Sequence, residues 1–293
     1  MPLIIPKDIP SYKLLKDFIF IIDEKRAISQ DIRPLEILIF NLMPKKIKTE
    51  NQLLSLLGNS PLQINITLLT TSSYTSKNTP QQHLKNFYVN FKDIKNKNFD
   101  GAIITGAPLE KINFKEVKYW NELIAIMDYL KKHCTSTLYL CWGAMAALYY
   151  FHKITKINLK NKLFGIFKHE IINKDMLLNG LDSNINMPHS RYFSISEKQI
   201  KNNNKLKILL KGKNSGITML KDEKDIFILG HPEYCTKTLD EEYKRDLKKG
   251  LKISKPKNYY DKNQNPILSW RASSSMIFLN WLNFVYQTTP YKN

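Results

Sequence analysis

The chain has 293 residues, 43% of them hydrophobic, with 45 Lys and Arg against 26 Asp and Glu and a formal net charge of +19. That length is enough for a large α/β core in one domain. The three cysteines, at 134, 141 and 235, are odd in number and unpaired in spacing, which argues against a disulfide framework. No C-x-x-C or H-x-x-x-H spacing points to zinc, so no metal is expected. The positive charge is spread along the chain rather than gathered in a stripe. Its densest run, Lys198–Lys213, lacks interleaved aromatics and reads as solvated surface, not as a nucleic-acid interface. The apolar runs Phe18–Ile22 and Leu138–Phe151 are too short to span a membrane, and the amino terminus lacks a signal-peptide layout. A cytoplasmic protein is expected.

In chain order, residues 1–34 read as an extended arm, rich in Pro and charge, packed on the core around one short strand near Phe18–Ile22. Residues 35–293 read as a single α/β domain, since no repeat and no long polar linker divides them. Leu35–Leu42 is a buried strand closed by Met43-Pro44-Lys45-Lys46, and Thr49–Leu57 follows as a helix with Thr49 as its N-cap. Gly58-Asn59-Ser60-Pro61 ends that helix, and Leu62–Leu69 is strand-like. A polar segment, helical or irregular, runs from Thr79-Pro80 to Asn98. Asp100–Thr105 is another buried strand, ended by Gly106-Ala107-Pro108 ahead of the amphipathic helix Glu116–His133. Later strands are expected at Leu163–Phe167, Ile208–Leu210, Gly216–Leu220 and Ile226–Leu229. Helices are expected at Asp240–Lys249 and Ser275–Tyr286, with a surface loop at Asn258–Pro266. Continuous apolar strands alternating with helices indicate a mostly parallel sheet covered by helices on both faces.

Ser136–Leu148, STLYLCWGAMAAL, carries the most information. An apolar, β-branched run ends at Cys141, Gly143 follows, and helix formers take over: strand, tight turn, helix, with a thiol at the bend. Helix N-terminal amides and the helix dipole favour the thiolate there. Alone, such a Cys is more often a small core residue. The second signal is Asp225–Tyr234, DIFILGHPEY, an apolar strand stopped by Pro232 beside His231 and Glu233. The carboxyl ends of parallel strands share one edge, where thiol, imidazole and carboxylate can meet as nucleophile, base and orienting acid.

Gly106-Ala107-Pro108, Cys141-Trp142-Gly143 and His231-Pro232-Glu233 together resemble the MetA-type homoserine O-acyltransferases, of the class I glutamine-amidotransferase-like (flavodoxin-like) α/β fold. The resemblance extends over nearly the whole chain, through Asn41–Lys46 (NLMPKK), Thr49–Leu53 (TENQL), Asn59–Leu62 (NSPL), Asn78–Leu84 (NTPQQHL), Tyr119-Trp120, Lys168–Glu170 (KHE), Pro188–Arg191 (PHSR), Glu242–Asp246 (EYKRD) and Pro290-Tyr291. Two departures lie near the carboxy terminus. Ala272-Ser273 follows Trp270-Arg271 where the family has a small residue and then His, and the last helix is one residue short before Tyr286-Gln287.

The resemblance implies that Cys141 accepts the acyl group, that His231 accepts the proton with Glu233 as its partner, and that Lys162, Ser190 and Arg245 contact substrate. Without it, Arg245 reads as an i, i+3 partner of Glu242, Lys162 as solvated, and Ser190 as a turn residue. With it, Arg245 suits a bidentate grip on the homoserine carboxylate. The amides of Trp142 and of the Gly106-Ala107 turn are the oxyanion candidates. Glu110 corresponds to an acyl-donor selector, Gly accompanying succinyl and Glu accompanying acetyl transfer; its carboxylate would crowd and repel a succinyl group. The implied reaction is acetyl transfer from acetyl-CoA, as co-substrate, to L-homoserine through an acyl-cysteine, within methionine biosynthesis and without metal or prosthetic group. A positive field would favour arrival of anionic coenzyme A. The alternatives are succinyl transfer and a Cys-His-Glu glutaminase, the latter disfavoured by Tyr139 where a sharper elbow takes Gly. Homoserine and acetyl-CoA are the expected partners; the oligomeric state is left open, with a homodimer considered.

Overall fold

The computed structural model describes residues 3–16, 21–22, 33–74 and 76–290. Its strands are β1 (Leu3–Ile4), β2 (Ile21–Ile22), β3 (Leu35–Phe40), β4 (Ile64–Leu69), β5 (Tyr88–Val89), β6 (Phe99–Ile104), β7 (Cys134–Leu140), β8 (Lys156–Ile171), β9 (Asn184–Ile195), β10 (Lys207–Gly212), β11 (Gly216–Lys221) and β12 (Ile226–Ile228). The helices are α1 (Pro10–Leu15), α2 (Lys46–Leu57), α3 (Gln81–Phe87), α4 (Trp120–His133), α5 (Trp142–His152), α6 (Glu197–Lys201), α7 (Thr238–Lys248) and α8 (Arg271–Thr288). The strands form one sheet in the order β2-β1-β4-β3-β6-β7-β12-β11-β10-β8-β9, with β5 beside β4. Pairing is parallel from β2 across to β12 and antiparallel from β12 to β9.

The central strands read as unbroken apolar runs because both of their faces are covered. Along each one, successive side chains enter alternate cores. Leu38 and Phe40 of β3, Ile104 of β6, Tyr139 of β7 and Phe227 of β12 join the core under α4 and α5. Ile37, Ile39, Ile103, Leu138, Leu140, Ile226 and Ile228 join the core under α1, α2 and α8. A third, smaller cluster of Phe164, Ile166, Tyr234, Leu239, Tyr259 and Trp270 seats α7 against the antiparallel half. Gly101 admits the closest approach of α8: a Cβ there would stand 2.8 Å from Ile37 Cδ1 and 2.9 Å from the Trp281 ring.

Four differences from the sequence expectation have physical causes. Residues 10–15 form a helix rather than an extended arm, with Pro10 at its first position; of the strand expected near Phe18–Ile22, residues 18–20 lie outside the described set. Helix α2 starts at Lys46, so Thr49 is one turn inside and not the N-cap. The Lys46 amide instead donates to Thr79 Oγ1 at 3.3 Å, a cap supplied from 33 residues away. Strand β8 extends far beyond Leu163–Phe167, and β9 forms where no strand was expected. The two hairpin strands run antiparallel with one face partly exposed, so their composition is polar and the apolar signal short. Helix α8 starts at Arg271, earlier than Ser275, and runs unbroken through Ala272-Ser273.

Candidate active site

Three parallel neighbours, β6, β7 and β12, end side by side, with Ile104 opposite Tyr139 and Ile228 opposite Leu140. Beyond those ends lie Gly106, Cys141 and His231. Cys141 sits between β7 and α5 at φ 46°, ψ −113°, a backbone conformation that a side chain strains to adopt and that projects the thiol out of the turn. Two contacts hold this elbow. The Cys141 amide donates to Ile228 O at 2.7 Å. Gly143 lets α5 press onto β6, since a Cβ there would meet Thr105 O at 2.5 Å. Trp142 and Gly143 open α5 and so carry amides without an intrahelical acceptor.

His231 is fixed from both directions. Its amide donates to Pro188 O at 2.8 Å, its Nδ1 bonds Glu233 Oε1 at 2.7 Å, and its ring stacks on Tyr234 at 4.0 Å. All of Cys141, His231 and Glu233 are buried. Burial disfavours the imidazolium, but the charges of Cys141 and Glu233 and hydrogen bonds to both outweigh it, and His231 titrates well above the usual histidine range. Gly106 closes the group: a Cβ there would lie 3.2 Å from that of Cys141 and 3.7 Å from His231 Cε1. Ala107 is buried beside it.

The remaining expected residues gather around Glu242 of α7. Ser190 is not in a turn but mid-strand in β9, opposite Phe164, and donates to Glu242 Oε2 at 2.5 Å. Tyr234 donates to Glu242 Oε1 at 2.8 Å. Lys162 is buried rather than solvated, 3.0 Å from Asp246 Oδ2 and 3.8 Å from Glu242, with its ammonium 4.2 Å from the centre of the Phe164 ring. Arg245 does not pair with Glu242 as helix spacing suggested. It bonds Asp246 Oδ1 at 2.8 Å through Nε, and 48% of its side chain remains exposed. Glu110, half-buried, faces this group. Burial pushes its carboxyl up, its own backbone amide, Lys162 and His231 pull it down, and Glu242 adds to the rise. The structure thus brings Glu110, Lys162, Ser190 and Glu242 beside the Cys141–His231–Glu233 cluster, with Arg245 at the outer end. Cys235 lies half-buried in the turn that leads into α7.

Sequence reasoning left Glu242, Tyr234 and Asp246 without roles, and it missed a buried polar network behind His231. Arg191 is wholly buried. Its guanidinium donates to the carbonyls of Phe193 and Ser215 and to His189 Nδ1. His189 Nε2 meets His169 Nε2 at 3.0 Å, and Ser215 Oγ lies 2.9 Å from the same atom. The signal was present in the segments PHSR and KHE, but only the β8–β9 pairing joins them. Among the described residues, no group of three or more His, Cys, Asp or Glu side chains is arranged to hold a metal ion, and no helix is long and apolar enough to cross a membrane.

A family model described as homoserine O-succinyltransferase matches residues 2–291. The chain belongs to this family. Its relatives include the homoserine O-acetyltransferases of Campylobacter jejuni (strain RM1221), 56% identical over 99% of both chains, of Lachnoclostridium phytofermentans, 52% identical over 100% of both, and of Bacillus subtilis (strain 168), 48% identical over 100% of this chain and 99% of that one. Among solved structures, a glutamine amidotransferase from Thermotoga maritima superposes with a TM-score of 0.58 at 11% identity, covering 86% of this chain and 98% of that one. A glutamine amido transferase from Methylobacillus flagellatus gives 0.58 at 9% identity, covering 90% and 98%. The fold is therefore glutamine-amidotransferase-like. Tyr139, where the elbow of a glutaminase takes Gly, is filled into the core against Phe227 at 5.3 Å.

Proposed function

We propose that the protein transfers an acetyl group from acetyl-CoA to the hydroxyl of L-homoserine, forming O-acetyl-L-homoserine for methionine biosynthesis by a ping-pong mechanism. The observation that carries acyl transfer is the elbow at Cys141, with His231 against the thiol and Glu233 behind the imidazole. The Cys141 thiolate attacks the thioester carbonyl, and the oxyanion is received by amides of Trp142 and the Gly106-Ala107 turn. The tetrahedral intermediate collapses, the carbon–sulfur bond to coenzyme A breaks, and His231 protonates the departing thiolate. Homoserine then enters. His231 takes its hydroxyl proton as the oxygen attacks the acyl-cysteine, and the Cys141 thiolate leaves as the ester forms. Glu233 keeps the imidazole oriented through both steps.

Support for homoserine comes from the names of the relatives and from the charges around Glu242. Arg245 suits the substrate carboxylate, while Glu242 and Asp246 offer acceptors for an ammonium group. Support for acetyl over succinyl comes from Glu110. Its carboxylate faces the site, and a succinyl carboxylate would have to sit beside it in a desolvated pocket. The relatives named above share the acetyl assignment, whereas the family description names succinyl transfer.

The test is intact-mass measurement after exposure to acetyl-CoA, succinyl-CoA or glutamine separately, without homoserine. We expect a single acetyl adduct, lost in Cys141→Ala and retained in Cys235→Ala. Label recovered on the Cys235 peptide would overturn the nucleophile, a succinyl adduct formed in preference would overturn the donor, and ammonia released from glutamine would overturn the reaction class.

A further inference from the structure

A separate cavity of about 290 Å³ opens beside the Ala107–Leu109 turn. Met43, Pro44, Tyr74, Leu109, Val117 and Tyr119 form most of its apolar wall, drawn from the segments after β3, β4 and β6 and from the approach to α4. One wall is clamped: the amides of Ser72 and Ser73 donate to the Glu122 carboxylate at 2.7 and 2.9 Å, tying the loop after β4 to the first turn of α4. The lining also carries two exposed lysines, Lys77 and Lys118, neither in an ion pair among the described residues, and one acid, Glu116, held by Asn113 Nδ2 at 3.1 Å. Ala107 belongs to the wall, and its neighbour Gly106 packs close to Cys141, since a Cβ built on it would stand 3.2 Å from that of Cys141. Gly106 thus stands between the cavity wall at Ala107 and Cys141, which is not itself in the lining. The segment that separates the two spaces is polarised along its length, Ala107 and Leu109 lining the cavity and Glu110 facing Lys162, His231 and Glu242.

We propose that this cavity holds the pantetheine arm of the acyl-CoA donor and that Lys77 and Lys118 hold its phosphates. The inference rests on the acyl-transfer reading above. An acyl-CoA is a long, narrow arm with a thioester at one end and an anionic nucleotide at the other. It requires an apolar trough that reaches the nucleophile and cations at the outer end. The side chains around Glu242 and Arg245 have the opposite character, being charged, and suit a small zwitterion. The two substrates of a ping-pong reaction would then approach Cys141 across two faces of one turn.

Two variants test the assignment. The charge reversal Lys77→Glu with Lys118→Glu is expected to raise KM for acetyl-CoA by roughly tenfold or more, the loss of about two charge-assisted phosphate contacts. KM for acetyl-pantetheine, which lacks the nucleotide, and KM for homoserine should stay unchanged. Reversal of two lysines elsewhere, Lys205→Glu with Lys213→Glu, controls for net charge and should leave all three constants alone. Leu109→Trp, which fills the trough, is expected to raise KM for both acetyl donors and to leave KM for homoserine and the melting temperature unchanged. Equal effects of the two charge reversals, or an unchanged acetyl-CoA KM in either cavity variant while the wild type is acylated normally, would overturn the cavity assignment and leave acyl transfer standing. Failure of the wild type to be acylated by any acyl-CoA would overturn both.

Discussion

In the proposed reaction, Glu110 and Arg245 are the two residues on which substrate choice rests. Glu110 has a carboxylate partly withdrawn from solvent and facing Lys162 and His231. A second carboxylate placed beside it costs about 3 kcal/mol, roughly a hundredfold in rate ratio. Glu110→Gly is therefore expected to raise the succinyl-to-acetyl ratio of kcat/KM by roughly two orders of magnitude, measured with both donors in competition and the products weighed. An unchanged ratio would remove Glu110 from donor selection. Arg245 is half exposed and spends part of its fork on Asp246. Lysine at this position keeps the charge and loses the parallel pair of donors. Arg245→Lys should raise KM for homoserine about tenfold while the first half-reaction, acylation of Cys141, proceeds at its normal rate. Equal damage to both half-reactions would assign Arg245 to structure.

At the scale of elements, the site depends on how closely α5 packs against β6. The residue that sets the distance is Gly143, not a residue of the site itself. An alanine methyl would stand 2.5 Å from Thr105 O and 3.0 Å from Ile104 O. Both atoms are backbone and neither can rotate away, so the helix must retreat and carry Cys141 and Trp142 with it. Gly143→Ala is expected to cost about 1–3 kcal/mol of stability, as overpacking does. It should also slow acylation far more than that loss implies. Denaturant unfolding and the time course of acyl-enzyme mass would show both effects, and a normal acylation rate would show that the elbow tolerates displacement. The β8–β9 hairpin is the second element the site requires. It supplies Lys162 and Ser190, and its Pro188 carbonyl holds the His231 amide.

The same hairpin ties the whole molecule to pH. Burial, with Arg191 adding to it and the Ile185 carbonyl opposing it, lowers His169 from 6.5 to about 4. Burial, Arg191, His169 and His231 push His189 well below the usual histidine range. Both imidazoles are neutral in the folded protein and become protonated on unfolding below pH 6.5. Each contribution is thus complete above the unfolded value and declines as pH falls, that of His169 until about 4. Each steepens the decline by up to about 1.4 kcal/mol per pH unit. Denaturant midpoints taken at falling pH should drop across this window, and His169→Gln should flatten the slope. Equal slopes in wild type and variant would show that His169 does not govern acid stability. His231 acts in the opposite direction, since its raised value withdraws stability only at high pH.

The apolar strands, the bends at Gly106, Cys141 and His231, and the parallel half of the sheet were legible in the sequence. Each is written locally, as a run of β-branched and aliphatic residues followed by Gly or Pro. The motifs around Cys141 and His231 also carried the family. The hairpin strands, the Thr79 cap on α2 and the hub at Glu242 were not legible. The cap and the hub depend on groups 33 to 84 residues apart meeting in space, and a half-exposed antiparallel hairpin leaves little periodic trace. Glu242 accepts from Ser190, 52 residues away, and from Tyr234, and Arg245, set against Glu242 by helix spacing, bonds the adjacent Asp246 instead. Local chemistry determined which side chains could react. Only the tertiary structure decided which of them share a pocket, because burial and long-range pairing, not spacing along the chain, select the partners of a charged group.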